Sequence, residues 1–573
     1  MPVPNVEIAD RLDRVADLLD IEAANPFRVR AYRRAGRLVR DLPREVTEML
    51  ASGESLDALP GIGADLAATI AALAHGEMPP RLAEAEHALP AGVVALLTLP
   101  GLGPKRVRVL HEALGIDSRE ALAAAVHAGR LRGVPGFGAV MERKLLGALA
   151  AGPAPPGRVR LADVETLAAS LLAWLRASPG VERAELAGSF RRRCATVGDL
   201  DLVAAARAPA PVMERFVAFE SVSRVLLRGP TRASVVLRDG LQVDLRVVAD
   251  VSFGAALCYF TGAKPHSIAL RRIAQAQGCK LNEYGLFRDR RRLAGRTEAD
   301  LYQTLGLPLI PPELREGAGE IAAARAGRLP LLLTRADLRG DLHMHTDASG
   351  GPASLADMVR AARRQGHAYV AIADHCGRVG AAGRLDPTGL GRQMDAIARL
   401  NATLDDLTVL AGCEVDILED GSLDLPDDVL HRLDLVVAAV NTNFDLPSDR
   451  QTERILRAMD HRDVTILAHP SGRRIGRHPA HALDLERVMR GALERGCFLE
   501  VNAQPDRLDL DDIHCRLAKA MGLKLAISSD ACAPAELAFL RFGVDQARRG
   551  WLAAEDVLNT RPLAELRAML RRP

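Results

Sequence analysis

The chain has 573 residues, 48% hydrophobic and 26% charged, with a formal net charge of +2. That length exceeds one hydrophobic core and implies three or four globular domains; no apolar run approaches the roughly 18 residues of a membrane span, and the start MPVPNVEIADRLDRV is too acidic for a signal peptide. Eight cysteines without a CxxC pair argue against a disulfide framework or a zinc ribbon, so a cytoplasmic protein is expected, monomeric by default.

The periodic apolar residues of IADRLDRVADLLDIEAA predict a helix. The next stretch, NPFRVRAYRRAGRLVRDLPRE, holds seven arginines. Arg30, Arg33, Arg37, Arg40 and Arg44 recur every three or four residues and form one helical stripe. Acids are scarce along it, and an unpaired arginine row suits a phosphate backbone better than a merely solvated face. Three related segments follow: LPGIGADLAATI (59–70), LPGLGPKRVRVL (99–110) and VPGFGAVMERKL (134–145). Their paired glycines permit a tight turn that presents backbone N–H groups to a phosphate oxygen at a helix N-terminus, without reading a base. Gly61, Gly63, Gly101, Gly103 and Lys105 therefore join Arg30, Arg33 and Arg37 as candidate DNA contacts, whereas the third copy lacks a basic residue near its turn. No lysine precedes Lys105. Schiff-base chemistry on a sugar aldehyde needs a deprotonatable amine, which arginine cannot supply, leaving only the N-terminal amine.

The Pro/Gly stretch AGPAPPG (151–157) reads as a boundary. An amphipathic helix around Val164–Arg176 leads into AGSFRRRCATVGDLDL (187–202). In a strand, Asp199 and Asp201 share one face while Leu200 and Leu202 pack inward. Neighbouring carboxylates repel unless a cation lies between them. Arginines beside a Gly-Ser turn are suited to a polyphosphate. Downstream, RASVVLRDGLQVDLRVV reads as a hairpin around Asp239-Gly240. Its second strand places Asp244 on a polar face, opposite Leu241, Val243, Leu245 and Val247. Three carboxylates with triphosphate oxygens suffice for two divalent cations, one activating a primer 3′-hydroxyl and one stabilising pyrophosphate. Mg²⁺ suits such oxygen ligands.

The segments GSFRRR…GDLDL, QVDLR, ALCYFTGAKPHSIALRRIA, GLF and LYQTLGLPLIPPELREGAGEI occur in that order. With the hairpin repeats, they make residues 1 to about 320 resemble the bacterial family X DNA polymerases, the group that contains the repair polymerase beta. The resemblance implies that Asp199, Asp201 and Asp244 are catalytic ligands of Mg²⁺ or Mn²⁺. It implies that Gly188, Ser189 and Arg192 bind the phosphates of an incoming deoxynucleoside triphosphate. Tyr259, Phe260 and Gly262 would line the sugar and base side, with Arg271 near the template base. Ser267 stands where bacterial members usually have Asn. Lyase-competent members carry an N-terminal-domain lysine that is missing here, so lyase activity is expected to be weak or absent.

From Asp337 the pattern changes. LRGDLHMH, YVAIADH, TVLAGCE, LVVAAVN, VTILAH, CFLEVN and KLAISSD are apolar runs ending in polar or metal-capable residues. A βα-barrel has this arrangement, with its chemistry at the C-terminal strand ends. Ten of the fifteen histidines lie here. His343, His345, His375, Glu414, His469 and Asp530 are the candidate metal ligands. DLHMHT, ADH, GCEVDIL, ILAHPSGR and ISSDA resemble the PHP phosphoesterase domain carried by bacterial family X polymerases, where it acts as a 3′→5′ exonuclease. This resemblance covers 337–573 and implies Zn²⁺ or Mn²⁺. Members usually have SDG where Ser349-Gly350-Gly351 stand, and His at the positions of Asn441 and Cys532. Asn is a poor ligand for a borderline metal, although a Cys thiolate can bind zinc. Fewer metals or a weaker nucleophilic hydroxide are expected, and with them a reduced or lost exonuclease, the barrel remaining as a scaffold that clamps DNA or the polymerase core.

The expected fold is multidomain, α+β and α/β: a helix-hairpin-helix N-terminal region, a nucleotidyltransferase palm and thumb, and a distorted (βα)7 PHP barrel. The expected boundaries are 1–80 and 81–152 for the two helical domains, 153–250 for the palm, 251–318 for the thumb, 319–336 for a linker and 337–573 for the PHP domain. The expected activity is DNA-directed gap filling in repair, with gapped or nicked DNA and deoxynucleoside triphosphates as partners and no membrane. Alternatives stay open. The PHP domain could retain exonuclease or phosphoesterase activity beside the polymerase, the chain could be a phosphoesterase whose N-terminal half merely delivers DNA, or the whole chain could be a non-catalytic scaffold for DNA ends.

Overall fold

A computed structural model describes residues 5–42, 46–59, 61–77, 79, 89–98, 102–134, 137, 158–377 and 383–571. The chain divides into two compact units, 1–157 and 158–573.

The first unit is helical. Helices Asn5–Ile21 and Pro26–Asp41 pack together through Ile8, Leu12, Val15, Tyr32 and Val39. Asn25 starts the second helix: its side chain accepts a hydrogen bond from the Phe27 N–H, and Pro26 occupies the first turn. Helices Ala64–Ala74 and Pro104–Leu114 begin directly after Gly63 and Gly103. Gly61 adopts φ +83°, a conformation that favours glycine, and a Cβ at Gly63 or Gly103 would meet nothing within 4 Å among the described residues. Gly101, Arg44 and the helix expected in the third repeat lie outside the described residues, as does the side chain of Arg40.

The arginine stripe needs a correction. Arg33 is ion-paired, its Nη2 lying 3.1 Å from Asp17 and 3.3 Å from Asp20. The acids scarce along its own helix are supplied by the helix packed against it. Arg30 lies over the Phe27 ring and, like Arg37, is exposed. Neither makes an ion pair among the described residues.

In the second unit, strands β1 (Val181–Leu186), β2 (Asp199–Ala206), β3 (Val222–Arg228), β4 (Arg232–Leu237) and β5 (Gln242–Val248) form one sheet in the order β1-β2-β5-β4-β3. β2 and β5 run parallel, and the other pairs are antiparallel. Leu200, Leu202, Val243 and Leu245 bury one face against helices Leu161–Arg176 and Pro209–Val217. The alternation of apolar and polar residues therefore leaves the aspartates on the other face. Helices Phe253–Thr261 and Lys264–Ala276 follow, then a three-stranded antiparallel sheet of β6 (Lys280–Asn282), β7 (Gly285–Arg288) and β8 (Arg291–Ala294). Residues 319–336 are packed along the unit: Leu332 and Leu333 are buried, and the Leu333 N–H donates to the carbonyl of Leu552.

The barrel strands are β9 (Gly340–Met344), β10 (Tyr369–Ile372), β11 (His375–Cys376), β12 (Thr408–Asp416), β13 (Leu435–Ala439), β14 (Val464–Leu467), β15 (Phe498–Asn502) and β16 (Leu525–Ser528). β11 is a short continuation after β10 that also pairs with β12. All neighbours are parallel and follow chain order. The circle closes where Met344 bridges Ala531. The distorted seven-stranded barrel expected from the seven apolar runs is the fold observed. Helix Leu540–Arg549, near its end, packs back on the palm, and its Phe542 belongs to the palm core with Leu508.

Candidate functional sites

In the palm, β2 and β5 set Asp201 directly opposite Asp244, and Asp199 opposite Gln242. Asp244 accepts hydrogen bonds from Gln242 Nε2 at 2.8 Å and from the Ser234 hydroxyl. No side chain among the described residues donates a hydrogen bond to Asp199 or Asp201. Burial raises the Asp199 carboxyl, with the charge of Asp244 adding to it. Burial, then Asp199 and Asp244, push Asp201 up to about 7. Such a cluster is electrostatically incomplete, and divalent cations held by oxygen ligands fit it.

The turn beside the cluster is the short helix Gly188–Arg191. Gly188 has φ +59°, and a Cβ there would overlap the Asp201 carboxylate, so glycine is required on both counts. Arg192 is held by its neighbours: its Nε donates to Glu316 at 2.9 Å and its Nη1 to the Thr261 carbonyl at 2.8 Å. Its Nη2 has no partner among the described residues. The expected pocket residues come together on the adjoining helices. Tyr259 and Phe260 meet edge to face at 5.1 Å, Arg271 lies 5.9 Å from the Tyr259 ring centre, and Tyr259, Ser267 and Arg271 line one cleft. A Cβ at Gly262 would press on His266. That imidazole is fixed between Glu320 at 2.6 Å and the Tyr302 hydroxyl at 2.8 Å.

In the barrel, His343, His345, His375, Glu414, His469 and Asp530 converge at the strand ends. Ligand atoms of His343, His345 and Asp530 lie within 4.8 Å of one another, as do those of His345, His375 and Glu414. His345 Nε2 is 3.0 Å from Asp530, His375 Nδ1 is 3.0 Å from Glu414, and His469 Nε2 is 3.5 Å from the other Glu414 oxygen. These imidazoles hold Glu414 and Asp530 well below the usual carboxylate range. The donors suit a borderline divalent metal.

Glu500, inside β15, escaped the sequence reading. Its carboxylate is 2.9 Å from His343 Nδ1 and accepts from the His469 backbone N–H at 2.7 Å, so it orients two of the candidate ligands. The sequence signal was an acid between the apolar residues Leu499 and Val501 of that strand. Of the departures from the family pattern, Asn441 is tied in by hydrogen bonds: its Nδ2 donates to Glu414 at 2.9 Å and to Asp416 at 3.0 Å. Beside Gly350, the Ser349 hydroxyl donates to Asp374. Burial pushes the Cys532 thiol up to about 11.

An acidic palm joined to a histidine-lined parallel barrel defines the class: a nucleotidyltransferase core carrying a metal-phosphoesterase barrel. Four family descriptions match: "Helix-hairpin-helix domain" over 3–77, "SAM-like Helix-hairpin-helix tandem" over 93–151, "DNA polymerase beta thumb" over 256–316 and "PHP domain" over 341–476. The DNA polymerase/3'-5' exonuclease PolX of Bacillus subtilis strain 168 is 34% identical over 570 residues, 99% of each chain. A probable phosphatase of Thermoanaerobacter sp. strain X514 is 29% identical over 231 residues, 38% of this chain and 89% of that protein. The chain belongs to the bacterial PolX family of family X DNA polymerases. Among the described residues, no helix is long and apolar enough to cross a membrane.

Proposed function

We propose that this PolX-family chain is a DNA-directed DNA polymerase that fills short gaps during cytoplasmic DNA repair, acting as a monomer on gapped or nicked DNA with deoxynucleoside triphosphates. The observation that carries this reading is the carboxylate trio on β2 and β5, set beside the Gly188–Arg192 turn. The palm is assigned to 153–250 and the thumb to 251–318, between the helical domains 1–80 and 81–152 and, beyond 319–336, the PHP domain 337–573.

Asp199, Asp201 and Asp244 would hold Mg²⁺ or Mn²⁺. Such ions, when bound, supply Lewis-acid activation of a 3′-hydroxyl and charge neutralisation at pyrophosphate. Gln242 and Ser234 orient Asp244, and Gly188 leaves room for Asp201. Ser189 and Arg192 Nη2 contact triphosphate oxygens, an orienting and electrostatic task. Tyr259, Phe260, Gly262 and Arg271 shape the nucleotide pocket. Incorporation of one nucleotide into a one-nucleotide gap tests the reading; its absence with either metal removes it.

Two further expectations follow. Arg30→Ala and Arg37→Ala should each weaken DNA binding and reduce the slope of log affinity against log salt by about 1. Arg33→Ala should change it less, because Asp17 and Asp20 already neutralise that guanidinium; fluorescence anisotropy across a salt series separates the three. Gly61, Gly63, Gly101, Gly103 and Lys105 would complete the backbone grip. Lyase activity should be weak or absent, so borohydride treatment with an abasic 5′-phosphate substrate should trap little or no covalent adduct.

The barrel is proposed to hold Zn²⁺ or Mn²⁺ on His343, His345, His375, Glu414, His469 and Asp530, with reduced 3′→5′ exonuclease activity. The Asn441 amide, bonded to Glu414 and Asp416, supports that reduction.

A further inference from the structure

The strongest unexplained feature is a charged junction beneath the triphosphate turn, built by the PHP helix Leu540–Arg549. Arg549 is almost fully buried, with 9% of its side chain exposed. Its Nη1 donates to the backbone carbonyl of Arg192 at 3.0 Å and to Glu316 at 2.8 Å. Its Nη2 donates to Asp512, on a barrel helix, at 2.6 Å. The same Glu316 oxygen accepts from Arg192 Nε. One barrel arginine therefore holds both the main chain of Arg192 and the carboxylate that aims its guanidinium.

The next residue repeats the pattern. Arg193 has φ +57°, a left-handed conformation costly for a residue with a side chain. It is held there by Asp545 at 2.7 Å, one turn before Arg549 on the same helix, and by Glu165 at 2.7 Å on the palm. Arg541 on that helix also binds Glu165 at 2.7 Å. Phe542 completes the attachment by entering the palm core. A surface contact made only for stability would have no reason to converge on one main-chain carbonyl and one side-chain orientation.

We propose that Arg549 and Asp545 are positioning residues of the polymerase site: the PHP helix sets the orientation of Arg192 toward the triphosphate. The PHP domain then serves nucleotide binding whether or not its own metal site is active. Arg192 has two of its nitrogens committed to Glu316 and Thr261, and Nη2 left for a ligand. Removing Arg549 frees Glu316 to swing and lets Arg192 sample orientations in which Nη2 no longer faces a phosphate. The loss falls on nucleotide affinity, because the carboxylates on β2 and β5 are untouched.

The proposal rests on the polymerase reading, which the wild-type reaction tests independently by showing whether a one-nucleotide gap is filled. In the full-length protein, with gapped DNA saturating, Arg549→Met should raise the KM for the complementary deoxynucleoside triphosphate about tenfold, the scale of a lost hydrogen bond to a charged group. The kcat should stay within about twofold, since the metal-binding carboxylates are retained. Arg549→Lys, which retains one cationic donor, and added guanidinium ion should each recover part of the loss. Asp545→Asn changes charge without changing shape and should raise KM about threefold; it provides the test if Arg549→Met does not fold. An unchanged KM in a folded variant overturns the proposal. So does a parallel fall of kcat, affinity and thermal stability that neither lysine nor guanidinium relieves.

Discussion

Asp201→Asn should lower single-nucleotide incorporation by about a thousandfold while making the metal-free protein more stable above neutral pH. The two effects have one cause. Asp201 is buried opposite Asp244 and near Asp199, so ionising it in the folded chain is costly, and its carboxyl is pushed from 3.8 to about 7. Between those values the folded, metal-free protein retains a proton that the unfolded chain has released. Stability therefore falls as pH rises through this window, with the penalty absent below the lower value and complete above the upper one. The asparagine variant never ionises and escapes that fall. Melting in a chelator should show the variant and wild type close together near pH 4 and the variant higher at pH 8. Adding Mg²⁺ at pH 8 should raise the wild-type midpoint more than the variant's, because a cation offsets the repulsion only where the charge exists. Equal incorporation by the two proteins refutes the site assignment. Equal melting in chelator at all pH values refutes the electrostatic account while leaving the catalytic one standing.

The carboxylates were legible in the sequence because strand periodicity is local: Asp199 and Asp201 are two residues apart, and Asp244 alternates with Val243 and Leu245. Their meeting was not local. It requires β2 to lie parallel to β5 across a sheet whose order departs from chain order. The barrel was readable for a similar reason, since each strand end carries its own polar residue and the strands assemble in sequence. Glu500 was hidden because a buried acid in an apolar strand has no periodicity of its own. The pairing of Arg33 was misread for another reason: a helical stripe describes one helix, whereas Asp17 and Asp20 come from its neighbour. Arg549 and Asp545 are the extreme case. Within their helix they look like ordinary charged residues, and their partners, Arg192 and Arg193, lie more than 350 residues away in sequence.

Restoring the usual family residues in the barrel should produce the second large effect. The triple variant Gly350→Asp, Asn441→His, Cys532→His, placed in an Asp201→Asn background, should increase Mn²⁺-dependent 3′→5′ digestion of a 5′-labelled strand about a hundredfold. Asn441 now places an N–H donor at Glu414 and Asp416. An imidazole there would offer a lone pair beside the same Glu414 oxygen that His469 approaches at 3.5 Å. Cys532 is a thiol at neutral pH, raised to about 11 by burial and by Asp530 and Glu536, whereas a histidine would present a neutral donor. The backbone of Gly350, at φ +88°, tolerates aspartate better than most residues, and among the described residues the nearest atom to a new Cβ is 3.7 Å away. Metal content per chain should rise with the digestion rate, and adding His343→Ala should abolish both gains. A wild-type barrel that already digests DNA as fast as the triple variant would show that the present six candidate ligands suffice. In that event the Asn441 amide would be a tolerated neighbour of Glu414 and not a replacement for a metal ligand.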